Sequence, residues 1–197
     1  ERANLCFMNL PNQLTVARLF ITLGFVAVLS LEAPYKYTIA LVLFIVASIT
    51  DYLDGKIARE RNLITNFGKL MDPLADKVLV AAAFVMLCAA GHFPAWALVV
   101  ILTREFLVTG LRLVASSQGA VLAADALGKW KTITQMVTAI YLFLFLATQE
   151  SLLQAAAPLF ESSHIVGAIL ISLTLLSTVI SGWNYVWNNR KLIEWDA

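Results

Sequence analysis

Four aspartates, Asp51, Asp54, Asp72 and Asp76, stand in a chain that is 60% hydrophobic and only 14% charged. The first pair closes one apolar run and the second pair opens the next. Acidic side chains at membrane depth are costly and by default mark a working site. Asp51 and Asp54 are three residues apart and Asp72 and Asp76 are four apart, so on helices each pair shares a face. A single connecting loop would let the two helices lie side by side and the four carboxylates converge. Bare, they would repel one another and keep one or more protons. A hard cation relieves such a cluster: Mg²⁺, Mn²⁺ or Ca²⁺. Mg²⁺ characteristically shares its shell between a few carboxylates and substrate phosphates, which points to phosphoryl-type chemistry. The competing reading is four carboxylates solvated one by one at helix ends. Their spacing within one helix–loop–helix unit weighs against it.

The neighbours of these aspartates suit a phosphate-bearing ligand. Gly55 follows Asp54 and, lacking a Cβ, lets a ligand approach the backbone closely. Ala58 is small and lies on the face of Asp54, and Arg59 offers a planar fork that matches a phosphate. Gly68, four residues before Asp72, clears further space. Singly, such small residues usually serve helix packing in membranes; together they describe a roomy pocket. Pro73 fits either the first turn of a helix or a kinked interior, and the sequence leaves both open.

The elements that must position these groups are apolar runs near the ~20 residues a spanning helix needs. Six are expected: Leu14–Leu31, Tyr37–Leu53, Leu70–Ala90, Ala95–Val114, Trp130–Thr148 and Ile165–Trp187. A soluble domain carries about a quarter charged residues, well above this chain. Lys56, Arg59, Arg61 and Lys69 fall between the second and third runs, Lys129 and Lys131 around the start of the fifth, and Arg190 and Lys191 after the sixth. The remaining connections carry Glu32 and Lys36, no charge over Gly91–Pro94, and Glu150 and Glu161. By the positive-inside rule, both termini and both basic loops face the cytoplasm. The expectation is an all-α integral membrane protein of six transmembrane helices. A short interfacial segment over Asn9–Arg18 precedes them, and the aspartates open to the cytoplasm at a cell (inner) membrane. Trp183, Trp187 and Trp195 suit an interfacial aromatic belt. His92 and His164 fall near the opposite surface and read as ordinary interface residues. The two cysteines, Cys6 and Cys88, form neither a disulfide framework nor a metal cluster. No cleavable signal pattern is evident, and residues 1–7, ahead of Met8, read as an expression remnant. Residues 8–197 are then one membrane domain. The net charge of +1 gives no reason to expect nucleic acid as a partner.

From Asp51 to Asp76 the chain reads DYLDGKIARERNLITNFGKLMDPLAD. This resembles the signature of the CDP-alcohol phosphatidyltransferases, D-x2-D-G-x2-A-R-x8-G-x3-D-x3-D, at every fixed position. NLPNQLTVAR from Asn9, TREFLVTGLR from Thr103, and GKWKT from Gly128 with Gln135 beyond it resemble the bacterial phosphatidylglycerophosphate synthases within that family. The likeness covers roughly Asn9 to Met136. It implies that Asp51, Asp54 and Asp72 ligate a first divalent ion, Mg²⁺ or Mn²⁺, and that Asp51, Asp72 and Asp76 serve a second. It makes Asp76 the general base for the incoming hydroxyl. It assigns the CDP-lipid to Gly55, Ala58, Arg59, Thr65 and Gly68, with Asn12 and Thr15 approaching the nucleotide from the N-terminal segment. The implied substrates are CDP-diacylglycerol and glycerol 3-phosphate, the implied product beside the lipid is CMP, and the implied assembly is a homodimer among membrane lipids.

A glycerol 3-phosphate acceptor calls for cations, and Arg104, Arg112, Lys129 and Lys131 are the candidates. Arg104 and Arg112, eight apart, share roughly one helical face; Glu105, next to Arg104, is expected on another face and not as its partner. Snorkelling to the interface is the plainer account of Lys129 and Lys131. The aspartate signature itself does not choose the acceptor: inositol phosphate, serine, or phosphatidylglycerol giving cardiolipin fit equally. An ion- or proton-coupled transporter would spread its carboxylates through the bilayer on paired broken helices, and here they cluster at one side.

Overall fold

Each apolar run becomes one helix. The computed structural model describes residues 10–60, 66–117, 126–160 and 163–190, with the backbone alone at 10–12, 14, 51–60, 66–73, 76, 117 and 163. The helices are α1 (Leu10–Ser30), α2 (Lys36–Glu60), α3 (Asn66–Ala89), α4 (Ala95–Ser117), α5 (Ala126–Thr148) and α6 (Ser163–Asn188), with a 3₁₀ segment at Gln154–Phe160. No strand occurs among the described residues. The helices hold 21 to 26 residues, about 32–39 Å at 1.5 Å per residue. Ala126–Thr148 and His164–Asn188 have the length and hydropathy to cross a membrane. Among the described residues, the apolar stretches Thr15–Ser30, Lys36–Thr50 and Lys77–Ala89 are shorter; α2 and α3 also carry the aspartates, and α4 carries Arg104, Glu105 and Arg112 in mid-helix.

Two boundaries differ from expectation in ways that matter. The helices α2 and α3 extend past the apolar runs, so positions 51, 54, 72 and 76 lie inside helices rather than at their ends, and Pro73 is interior to α3. Helical hydrogen bonds are local and do not stop where the lipid-like composition stops. The separate interfacial segment expected over Asn9–Arg18 is a correction: from Leu10 the chain already belongs to α1. Thr15 and Arg18 are fully buried, whereas an interfacial helix would turn its polar face to water. Asn9 lies outside the described residues.

The outside of the bundle is as apolar as its core, and polar groups are buried beside that core. Phe20, Leu23, Phe106, Leu113, Ile165 and Leu176 are among the large apolar residues on the outside. Arg18, Thr22, Lys131, Gln135, Thr138, Thr174, Thr178 and Ser181 are buried. Between α5 and α6 the hydroxyls pair directly: Thr134 Oγ1 with Ser177 Oγ at 2.8 Å, and Thr138 Oγ1 with Thr174 Oγ1 at 2.7 Å. Interhelical hydroxyl pairs of this kind join helices where the surroundings are too apolar to drive association.

The helix α1 packs on both α2 and α3, and α5 packs on α2, α3 and α6. Phe25, Phe44 and Phe143 meet where α1, α2 and α5 converge, with centroids 5.4 Å apart for Phe25–Phe143 and 6.1 Å for Phe25–Phe44. At the end of the bundle away from the aspartates, Glu150 reaches across from the α5–α6 connection. It accepts hydrogen bonds from the backbone N–H groups of Tyr37 (2.7 Å) and Thr38 (3.0 Å) and from Thr38 Oγ1 (2.6 Å). A carboxylate there satisfies orphan donors at the start of α2 and complements the helix dipole. Gly91, at φ 77°, ends α3 in a Schellman turn: His92 N–H donates to Leu87 O at 2.9 Å and Gly91 N–H to Cys88 O at 3.0 Å. A side chain at that φ would be strained.

Candidate functional site

Positions 51 and 54 lie on α2 and positions 72 and 76 on α3; the side chains of all four aspartates lie outside the described residues. The two helices touch, and α1 packs on both. Gly55, Ala58 and Arg59 continue along α2, and Gly68 lies in the first turn of α3. Thr65 lies outside the described residues. Asn12 is placed on α1 by backbone alone.

The Phe25–Phe44 contact gives the axial register of α1 against α2. A five-residue connection makes these helices antiparallel. Ten residues back from Phe25 is Thr15 and ten forward from Phe44 is Asp54, each about 15 Å along its helix. By the same count, Arg18 stands level with position 51. Thr15, Arg18 and Thr22 therefore form a buried polar stripe on α1 beside the aspartate-bearing helices. The sequence reading gave Arg18 no role, although a Thr–Arg–Thr stripe at helical spacing in an apolar helix was a visible signal.

The four candidate cations come together. Arg104 and Arg112 from α4, and Lys129 and Lys131 from α5, line a cleft of about 580 Å³ between α3, α4 and α5. Lys77 joins them from α3, a fifth cation that the sequence reading passed over although it adjoins Asp76. Because Leu74 and Lys77 line this cleft, it borders the α3 segment that carries position 76. Lys77 Nζ donates to Thr109 Oγ1, which in turn donates to Glu105 O at 2.6 Å, so α3 and α4 are bridged at the cleft.

Glu105 requires a correction. It is the partner of Arg104 after all: Arg104 Nη1 lies 3.3 Å from Glu105 Oε1, and Lys131 Nζ pairs with the same oxygen. Long side chains bend across the helix surface, so adjacency in sequence does not forbid the contact. Lys131 is only 4% exposed, which removes snorkelling as its explanation; Lys129 remains exposed at the cleft. Arg112 Nε donates to Tyr185 Oη at 3.2 Å, and its guanidinium lies 5.6 Å from the Tyr185 ring centroid. Tyr185 of α6 was also missed. Gln135, quoted above only for its resemblance, lines the cleft and donates to Thr178 Oγ1 at 3.5 Å. Arg104 runs between glycines: a Cβ at Gly182 would lie 2.9 Å from Arg104 Cγ, and one at Gly128 would lie 3.6 Å from Arg104 Nη2.

Other residues singled out in the sequence fall elsewhere. His92 and His164 both set their rings against Phe145, at 5.7 and 5.8 Å. Trp183 and Trp187 stack at 6.1 Å on the outside of α6; Trp195 and Cys6 lie outside the described residues. Among the described residues no group of three metal-ligating side chains occurs.

Comparison with known proteins shows the family. The family model for CDP-alcohol phosphatidyltransferase matches residues 8–183. A CDP-diacylglycerol–glycerol-3-phosphate 3-phosphatidyltransferase of Bacillus subtilis is 39% identical, over 94% of this chain and 97% of its own length. The enzyme of that name from Rickettsia bellii is 34% identical, over 90% of this chain and 93% of its own. A protein of Mycobacterium tuberculosis named as a probable phosphatidylglycerophosphate synthase is 37% identical, over 90% of this chain and 80% of its own. This chain belongs to the CDP-alcohol phosphatidyltransferase family.

Proposed function

We propose that this enzyme transfers the phosphatidyl group of CDP-diacylglycerol to glycerol 3-phosphate, giving phosphatidylglycerophosphate and CMP in phospholipid biosynthesis. The observation that carries the acceptor is the cationic cleft beside position 76: five basic side chains bordering the aspartate-bearing helix suit a phosphate dianion. The names of the relatives point the same way. In this reading the acceptor hydroxyl attacks the lipid-linked phosphorus, the P–O bond to CMP breaks, and CMP leaves with the electron pair. Asp76 takes the hydroxyl proton, a contribution typically worth about 10²–10⁴-fold. Arg112, Lys129 and Lys131 hold the acceptor phosphate, with Arg104 behind them. Gly55, Ala58, Arg59, Thr65 and Gly68, with Asn12 and Thr15 of the N-terminal helix, take the CDP-lipid.

Asp51, Asp54, Asp72 and Asp76 are the donors for Mg²⁺ or Mn²⁺, two ions per site. An all-carboxylate donor set on two touching helices fits hard divalent ions. When bound, such ions neutralise charge on the diphosphate and the leaving group. The remaining rate enhancement comes from positioning, as in other phosphoryl transfers. The six helices are read as six spans with both termini cytoplasmic in the cell membrane; the apolar exterior and the basic loops support this. The homodimer implied by the resemblance is the proposed quaternary state.

The test is CMP release by detergent-purified protein given CDP-dioleoylglycerol, Mg²⁺ or Mn²⁺, and a panel of alcohols. Metal-dependent release with glycerol 3-phosphate alone, lost in Asp76→Asn and with a chelator, is the expected result. Release with a different alcohol keeps the chemistry and replaces the acceptor. Absence of release with any alcohol from folded, metal-binding protein defeats the proposal.

A further inference from the structure

Among the described residues Glu105 is the one carboxylate that lines the cleft, and its two oxygens are used differently. Oε1 accepts from Arg104 Nη1 at 3.3 Å and from Lys131 Nζ, with the Glu105, Arg104 and Lys131 side chains 15%, 12% and 5% exposed. Oε2 accepts no hydrogen bond among the described residues, and it is not one of the partnerless polar atoms sealed from solvent. It therefore borders the open space of the cleft. Two further cations of the cleft are turned elsewhere, Arg112 to Tyr185 and Lys77 to Thr109. A carboxylate oxygen offers lone pairs and no hydrogen, so it repels a phosphate oxygen and takes an O–H donor. Thr109 Oγ1 receives Lys77 Nζ and donates to Glu105 O. Glu105 thus stands one helical turn, about 6 Å, from the contact that reaches the neighbour of position 76. A small polyol phosphate is long enough to touch both.

We propose that Glu105 is a specificity-determining residue: its Oε2 accepts a hydrogen bond from the secondary hydroxyl of the acceptor, while its Oε1 holds Arg104 and Lys131 toward the phosphate. This rests on the reading of the cleft as the acceptor site, and it deepens that reading. One hydroxyl of glycerol 3-phosphate attacks the lipid-linked phosphorus. The other, on the middle carbon, is the one that Glu105 reads. The preferred acceptor class is then a polyol phosphate rather than a simple alkanol phosphate, because a site built around a hydroxyl loses that bond when the hydroxyl is missing.

The test uses the full chain in detergent with CDP-dioleoylglycerol and Mg²⁺. Glycerol 3-phosphate is compared with 3-hydroxypropyl phosphate, which keeps the primary hydroxyl and the phosphate and lacks only the secondary hydroxyl. The wild type is expected to favour glycerol 3-phosphate by about 10-fold or more in kcat/KM, read as CMP release. Glu105→Met should slow both acceptors by loosening Arg104 and Lys131, an effect common to the two that cancels in their ratio. The ratio itself should fall to about 2-fold or less, since the charged hydrogen bond is gone. Equal use of the two acceptors by the wild type, or an unchanged ratio in a folded, active Glu105→Met, overturns the inference. Should Glu105→Met fail to fold, the wild type decides with 2-fluoro-3-hydroxypropyl phosphate as a competitor in phosphatidylglycerophosphate formation. Fluorine cannot donate, so this analogue should compete no better than 3-hydroxypropyl phosphate; competition as strong as that of glycerol 3-phosphate overturns the role of Glu105. Turnover of both acceptors without preference defeats this inference alone. CMP release only with an unrelated alcohol defeats the acceptor reading, and this inference with it.

Discussion

Where α1, α2 and α5 converge, Phe25, Phe44 and Phe143 fill the interior ring against ring. Where α3, α4 and α5 converge, the same bundle leaves a cleft of about 580 Å³ whose lining, among the described residues, includes five cations and a carboxylate. The helix α5 belongs to both regions: its Phe143 and Leu146 are core residues, and its Lys131 faces the cleft. Close-packed aromatic contacts set the distances between helices and tolerate little change. The cleft trades that packing for charge, which can be held in the membrane only by pairing inside it. The comparison teaches how a small bundle keeps a polar site open: one side is locked so that the other need not be.

The strongest way to break the comparison is to remove the chemistry and leave the packing. Asp76→Asn is expected to lower CMP release by about 10²–10⁴-fold with an unchanged circular dichroism spectrum and thermal midpoint. The reverse experiment cuts into the locked side. Phe143→Ala should cost about 3 kcal/mol or more of stability through the cavity it leaves, read as a lower unfolding midpoint in detergent. The KM for glycerol 3-phosphate should hold in the fraction that stays folded; a large KM change there would mean the two regions are not separable.

Smaller changes sharpen the boundary. Arg112→Met removes a charged hydrogen-bonding group, worth about 1.5–3 kcal/mol. The KM for glycerol 3-phosphate should rise at least 10-fold while the KM for CDP-diacylglycerol stays constant. Gly182→Ala adds a methyl 2.9 Å from Arg104 Cγ, an overpacking that costs about 1–3 kcal/mol. It should displace the Arg104 stem and raise the acceptor KM several-fold, although position 182 does not line the cleft. Glu150→Ala removes the cap on α2 and should cost about 1 kcal/mol of stability, with both KM values unchanged, since it acts at the far end of the bundle.

Much of this was legible in the chain itself. Helix number followed from the apolar runs, because spanning length is set by bilayer thickness and the rise per residue. The aspartates were legible because acidic residues are so expensive in an apolar run that few other reasons retain them. Arg104 and Arg112 were correctly placed on one face by counting eight residues along α4. The same counting failed for Glu105: it locates Cα atoms, and the Arg104–Glu105 contact is made at the ends of two long side chains.

Composition and spacing thus determined the all-helical architecture and which residues carry the signature. Each of these depends on local periodicity or on a residue type too costly to occur idly. Tertiary structure alone decided that α3, α4 and α5 enclose one cleft, that Lys77 joins it, that Tyr185 of α6 receives Arg112, and that Lys131 is buried against Glu105. Those contacts join residues 26 to 73 positions apart. Their energies depend on distances of a few ångströms between side chains on different helices, and such distances have no one-dimensional trace.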